Sequence, residues 1–494
     1  MTSLDYFVLV GYFVLTIALG SLTFARQKSL QDYFVASHST PWLASMASLV
    51  ATTISAVTFI GIPALSFKKD LTDLQIYLGF PLAAIAAAVL IVPFYYRQDI
   101  LTAYQFLERR FDLKTRLLAS ILFQLREIFV MGVVIAAPAK IMTEFSGLPF
   151  HWSALLVVLV TTVYTVVGGI RAVIWTDVMQ LIVLLGGPLV AMFILVQSMD
   201  GGLPQIIAIA SAHDKFRLID TSFDPRSEVT VWIAFSGLTL YWFSEWVISQ
   251  SSIQRYLTGR SLAESRRALM ASGFGAFFVW IFFFLIGIAL YAFHIAHPER
   301  LPAGNDADRV FVRFILGELP SGLRGLALSG VFAAAMSTLS SRANAIASLT
   351  LVDVLQPLIP DRLKGREVLW ARWITVVWAA VGTMAALVVV RYEGIIKVGF
   401  RLGNLLIGPL LGVFLLGMFS ERTRANGAFL GCCVGVAAIG LVALLSEVSW
   451  GWYTLIGSLG TVLSGYLLSG WLPPGKARTV KRTVLGKEPA VPAR

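Results

Sequence analysis

A chain of 494 residues that is 57% hydrophobic, only 14% charged and of mean hydropathy +0.78 carries too little charge for a soluble protein of its size. It reads as an all-α integral membrane protein, because its long apolar runs lack the period-2 alternation of an outer-membrane barrel. The net charge of +11 follows the membrane edges and so is no nucleic-acid signal. Adjacent Cys432 and Cys433, five scattered histidines and the lack of a Gly-x-x-x-x-Gly-Lys-Ser/Thr loop point to no disulfide framework, zinc site, haem or ATP use.

About thirteen spans are predicted, near 4–25, 41–66, 74–97, 116–145, 153–168, 173–198, 230–253, 266–295, 323–353, 369–391, 393–418, 424–445 and 449–471. With the N-terminus outside, the inner loops hold 24 Lys and Arg against 12 in the outer loops. That bias predicts an external N-terminus and a cytoplasmic C-terminus, in the plasma (cell inner) membrane with the lipid bilayer as partner. The first segment has neither a basic leader nor a small-x-small cleavage site, and reads as an uncleaved span running to Arg26 and Lys28. Residues 1–472 form one transmembrane domain, and the basic, proline-containing tail 473–494 reads as disordered.

In the second span, Pro41-Trp42 reads as an interfacial helix start, and Ala51-Thr-Thr-Ile-Ser-Ala-Val-Thr58 is hydroxyl-rich and precedes Gly61 and Pro63. Such a stretch suits a discontinuous membrane helix whose freed carbonyls need a partner, or a Pro-kinked helix with Thr back-bonding. The third span brings Asp73, Gln75 and Tyr77 to its outer end, as gate or solute contacts or as ordinary interfacial residues. Thr102 to Asp112 reads as an amphipathic inner loop whose basic residues face lipid headgroups.

Arg126 and Glu127 fall near mid-membrane in the fourth span, where charge is costly and marks function by default. Side chains on adjacent helical residues point about 100° apart, so these two are not expected to satisfy each other. Glu245 in the seventh span is a candidate partner for Arg126; the alternative is that Arg126 meets an anionic solute. Gly168-Gly169 reads as a tight inner turn feeding the sixth span, which carries Asp177; that acid is a headgroup-layer residue, a partner of Arg342, or an ion ligand. Gln254 to Arg267 reads as a further basic inner loop, and Pro298 to Pro320 as an outer segment with a short helix.

The densest signal lies in Val331 to Asp353, a span bearing Ser337, Thr338, Ser340 and Ser341. Ala334, Ser337, Thr338 and Ser341 recur at i, i+3, i+4, i+7 on one face, with Ser340 on its flank. Hydroxyls in lipid must meet another helix or a polar cavity, and Ser/Thr often serve only as packing glue. Set beside Ala51–Thr58 and the lone Asp177, they outline a neutral oxygen cage plus one carboxylate, the donor set of a small hard cation.

These stretches, with Trp175-Thr-Asp177, Gln254-Arg-Tyr-Leu257, Phe332-Ala-Ala-Ala-Met-Ser-Thr-Leu-Ser-Ser341 and Gly408-Pro409 to Gly417, resemble the solute:sodium symporter family over nearly the whole chain. The resemblance implies a LeuT-type fold of two inverted five-helix repeats, about 41–198 and 230–418. It also implies sodium-driven uptake of a small-molecule solute by alternating access, with Na+ as co-transported ion and no organic cofactor; the oligomeric state stays open, a functional monomer being compatible with the pattern. By motif match a main sodium site falls on Ala51, Ile54, Ala334, Ser337 and Thr338. A second falls on Asp177, Ser337, Ser340 and Ser341, as in members resembling the sialic acid carriers, which favours two ions per cycle. Solute contacts carry over to Thr53, Ser55 and Thr58, with Gln75, Arg126 and Glu245 as further candidates. The carboxylate-binding arginine of those carriers aligns with Val130, one turn from Arg126. That departure moves the expected solute from sialic acid toward a small organic anion of the vitamin, monocarboxylate and iodide branch, with a neutral sugar, polyol or amino acid next. An enzyme would need a nucleophile–base or metal constellation, and a sensor an appended soluble domain; a channel would not require a broken helix facing hydroxyls.

Overall fold

In the computed structural model, residues 1–22, 29–98, 100–300, 309–391 and 403–473 are described. Among them every long element is a helix, and the hydrophobic core is shared between helices rather than owned by one. The outer faces stay apolar: Phe7, Phe193, Phe278 and Leu463 are each at least 60% exposed, as expected where lipid replaces water.

Helix α1 (Ser3–Ser21) begins with a capping box, Thr2 and Asp5 bonding each other's backbone. The same Asp5 carboxylate accepts from the Gly322 and Gly325 N–H groups (2.7 and 3.2 Å), which ties α1 to the start of a late helix. A short α2 (Leu30–Val35) follows. Then comes a bent pair, α3 (Trp42–Thr53) and α4 (Ala56–Lys68), meeting at 60°. Long α5 (Gln75–Tyr96), short α6 (Tyr104–Arg110) and long α7 (Leu113–Ser146) come next. Helical residues Phe150–Gln197 form α8, which turns at Gly169 (φ 56°, ψ −154°), a conformation that suits only glycine. The predicted Gly168-Gly169 turn is therefore a single residue, and α8 holds two of the expected spans.

After α9 (Gly202–Ala212) the order of the first half recurs. A second bent pair, α10 (Val231–Val247) and α11 (Gln250–Leu257), meets at 57°. It leads to α12 (Leu262–Ala296), short α13 (Val310–Glu318), α14 (Leu323–Leu358) and α15 (Glu367–Val389). The chain closes with α16 (Gly403–Phe419), α17 (Ala425–Leu445) and α18 (Tyr453–Trp471). Among the described residues eight helices are long and apolar enough to cross a membrane alone, and ten with the two bent pairs, a count in which α8 with its two expected spans figures once. The expected basic tail, the Arg26–Lys28 edge and the start of the 393–418 span lie outside the described residues.

Two expectations change here. The segment around Thr102 to Asp112 carries α6, whose Tyr104, Phe106 and Leu107 are buried. Its basic residues hold protein, not only lipid: Arg110 donates to the Ser420 and Thr423 carbonyls (2.6 and 3.2 Å) and Arg109 to that of Gln98 (2.6 Å). Carbonyls left free at helix ends are strong acceptors, and a nearby guanidinium meets several at once. Gln254 to Leu257, read as the start of a basic loop, belongs instead to α11, with Arg255 fully buried.

Candidate functional site

The break between α3 and α4 follows from local chemistry. Thr52 and Thr53 hydroxyls donate back to the Ser48 and Leu49 carbonyls (both 2.8 Å), which loosens the last turn of α3. Ile54 is extended (φ −89°, ψ 101°), its N–H still donating to Val50 O at 3.0 Å. Ser55 then caps α4, its Oγ accepting from the Thr58 N–H at 3.4 Å and lying 3.5 Å from the Thr58 hydroxyl.

The carbonyls of Ala51 and Thr52 thereby lose the N–H partners a continuous helix would supply. Two hydroxyls of α14 meet them: Ser337 Oγ donates to Ala51 O at 2.9 Å and Thr338 Oγ1 to Thr52 O at 3.1 Å. Both hydroxyls also lie within reach of Ala334 O, at 3.1 and 3.0 Å. The two freed carbonyls, the helix-bonded carbonyl of Ala334 and two hydroxyls thus share two hydroxyl protons. This buried cluster has more acceptors than donors, a composition that a hard cation completes. Thr52 is a member the sequence reading left out.

Asp177 lies on α8 beside this cluster, with no exposure. Its Oδ2 accepts from Ser48 Oγ (2.5 Å) and from the Arg255 guanidinium (3.0 Å). Arg255, equally buried, also donates to Ser48 Oγ (2.7 Å), to Ser251 O (2.6 Å) and to Ser341 Oγ. The Ser341 hydroxyl contacts that of Thr52 (3.0 Å) and the carbonyl of Ser337, to which Ser340 Oγ also donates at 3.1 Å. Asp177 Oδ1 has no hydrogen-bond partner. The pairing of Asp177 with Arg342 is overturned: Arg342 donates to Glu127 Oε2 at 2.5 Å. Residues 341 and 342 point about 100° apart on α14, so one meets Thr52 on α3 and Arg255 on α11 and the other Glu127 on α7.

Glu127 and Arg126 do satisfy each other, at 2.8 Å, against the expectation from their angular separation. The arginine stem is long enough to curl its guanidinium around the helix surface, so the Cβ directions do not decide the contact. Arg126 donates also to Glu245 Oε1, as anticipated, and two arginines and two glutamates close a neutral network between α7, α10 and α14. Arg126 and Glu127 are each about 2% exposed and Glu245 14%. A guanidinium held by two carboxylates has little attraction left for a third anion in this conformation. Gln75 is buried, its amide donating to Thr72 O (3.1 Å) and accepting from the Asp220 N–H (3.4 Å), which ties it to the segment between α9 and α10.

Besides Thr52, Arg255 and Ser48 are site residues that sequence reasoning missed. The signal was present: Ser249-Gln-Ser-Ser interrupts an apolar run much as Thr52–Ser55 does. A lone arginine after such an interruption is a buried-charge candidate as well as a loop residue.

Two broken helices, one with its carbonyls met by hydroxyls of a remote helix, and a buried acid beside them define a helical membrane carrier. The comparisons with known proteins agree. The family model for the sodium:solute symporter family matches residues 33–435, and the chain belongs to that family. It is 31% identical to a sodium/sialic acid symporter of Proteus mirabilis, covering 96% of each chain. It is also 31% identical to the sodium/iodide cotransporter of Homo sapiens, over 89% of this chain and 69% of that protein. A solved structure of a Na+-coupled sialic acid symporter, substrate-bound and outward-open with a novel Na+ site, superposes with TM-score 0.88 at 30% identity, covering 97% of this chain and all of that one.

Proposed function

We propose that this protein is a secondary active transporter that couples inward sodium movement to uptake of a small organic solute by alternating access. The observation that carries the reading is the acceptor-rich contact between the broken α3–α4 pair and α14. The main ion is held by the carbonyls of Ala51, Ile54 and Ala334 and by the Ser337 and Thr338 hydroxyls, with Thr52 O adjoining. Bound there, sodium ties the mobile pair to α14 and organises the solute site. A second ion uses Asp177, Ser337, Ser340 and Ser341; the unpartnered Asp177 Oδ1 supports it. Two charges moving down 100 mV supply about 4.6 kcal/mol, plus the concentration term.

The architecture that fits is the LeuT-type 5+5 inverted repeat with residues 1–472 as one domain, N-terminus outside and C-terminus in the cytoplasm. The recurring order of bent pair, long helix, short helix and long helix supports the repeat. The solute is a small organic anion bound beside Thr53, Ser55 and Thr58. The breadth of the relatives, which include sialic acid, iodide, multivitamin and monocarboxylate carriers, favours an anion over a neutral sugar. In this reading Arg126 and Glu245 close the inner side as an ion pair, and Gln75 organises the outer loop rather than touching solute.

Purified protein in liposomes, given an inward sodium gradient and a panel of radiolabelled organic anions and sugars, should accumulate one class of solute only when sodium is present. Accumulation that ignores sodium, or sodium conductance without any solute, would overturn the proposal.

A further inference from the structure

The guanidinium of Arg255 occupies a place that the second sodium needs. It donates to Asp177 Oδ2 (3.0 Å) and Ser341 Oγ, two of the four oxygen donors assigned above to that ion. A third bond, to Ser48 Oγ (2.7 Å), puts it against α3 as well. All these groups are buried, and Asp177 Oδ1 is left without a partner. A buried carboxylate is costly without a countercharge, so in the ion-free protein some cation must stay with Asp177. Arg255 is that cation.

We infer that Arg255 is a tethered competitor of the second sodium ion: the guanidinium and the ion are alternative partners of Asp177 and Ser341. This rests on the sodium-symport reading and adds a residue and a coupling to it. Each arrangement leaves the carboxylate neutralised once, but the sodium-bound one carries one more positive charge, so the displaced guanidinium must find another partner or water. The two arrangements also differ in what they hold. Arg255 sits on α11, the eight-residue half-helix after the second break, so its bonds fasten that half-helix to α3, α8 and α14. When sodium takes Asp177 and Ser341, those three ties are released and the Arg255 turn of α11 loosens, while Gln250 and the tyrosines keep the break itself held. One turn on, α11 ends against the loop at His38 and Thr40, with His38 Nδ1 2.5 Å from Leu257 O and the Thr40 N–H on Thr258 O at 3.0 Å. The same exchange returns the empty carrier: when the ion leaves, Arg255 reoccupies Asp177 and closes α11 again.

The test uses the full chain in nanodiscs with radioactive sodium as the only probe. Competition predicts that Arg255→Gln binds the second ion at least tenfold more tightly than wild type, while Arg255→Lys, which keeps the charge, stays near wild type. In wild type, hydrogen exchange over residues 250–257 should rise when sodium replaces N-methylglucamine, and this measurement needs no variant to fold. Unchanged sodium affinity in Arg255→Gln, or sodium that leaves 250–257 equally or better protected, would overturn the inference. Wild-type protein that binds no sodium at all would overturn the symport reading itself.

Discussion

The two broken helices are alike in angle and unlike in what fills the break. At the first, Ala51 O and Thr52 O accept from aliphatic hydroxyls of a remote helix. At the second, Trp246 O, Val247 O and Ile248 O accept from phenols: Tyr256 at 3.1 Å, Tyr95 at 2.8 Å and Tyr104 at 3.0 Å. A serine or threonine hydroxyl needs only to rotate its proton to present a lone pair to an ion, and it leaves room for one. A tyrosine ring fills that room and fixes its hydroxyl at the end of a rigid lever. The first break is thus built to exchange a partner, the second to hold one. Gln250, at the start of α11, extends the grip by bonding Leu101 O (2.7 Å) and the Ala103 N–H (3.2 Å).

The sharpest way to break this contrast is to remove an exchangeable hydroxyl. Thr338→Ala should raise the half-saturating sodium concentration by roughly ten- to a hundredfold, about 1.5–3 kcal/mol for one lost ligand to a charge. Wild-type sodium activation in that variant would mean the first break is sealed by packing alone. Next in size, Asp177→Asn should lower the charge-to-solute ratio by one and bring the Hill slope of sodium activation toward one. An unchanged ratio, measured as current against solute uptake, would confine ion binding to the first break. Smallest, Tyr95→Phe and Tyr104→Phe should leave half-saturating sodium where it is. Each should cost about 1–3 kcal/mol of stability by leaving a buried carbonyl unmet, seen as a lower unfolding temperature in a thermal-shift assay. A shift in sodium activation from either phenol would show that the second break, too, exchanges partners.

Much of the site was legible because its residue types are out of place in lipid. Three hydroxyls on one helical face with a fourth on its flank, a Thr/Ser run before Gly61 and Pro63, and Asp177 among apolar residues each stand out without any structure. The partner of each was harder. The sequence offered Arg342 as the basic partner of Asp177, and only the rotation of α14 and the second bend bring Arg255 there instead. Arg126 with Glu127 failed for a related reason, since angular spacing places Cβ atoms and not the end of a long flexible stem.

By itself the sequence determined that this is a many-span helical membrane protein of the sodium:solute symporter pattern, with a helix broken or kinked within residues 51–63 and hydroxyls on another span near 337. Those features are local: lipid penalises every unpaired polar group, so each one must be present in the sequence to be seen. Only the tertiary structure decided that Arg255 reaches Asp177, that Glu127 joins two arginines, and that tyrosines close the second break. Contacts between residues 78 or more positions apart depend on how helices rotate and bend against one another, which no local pattern records.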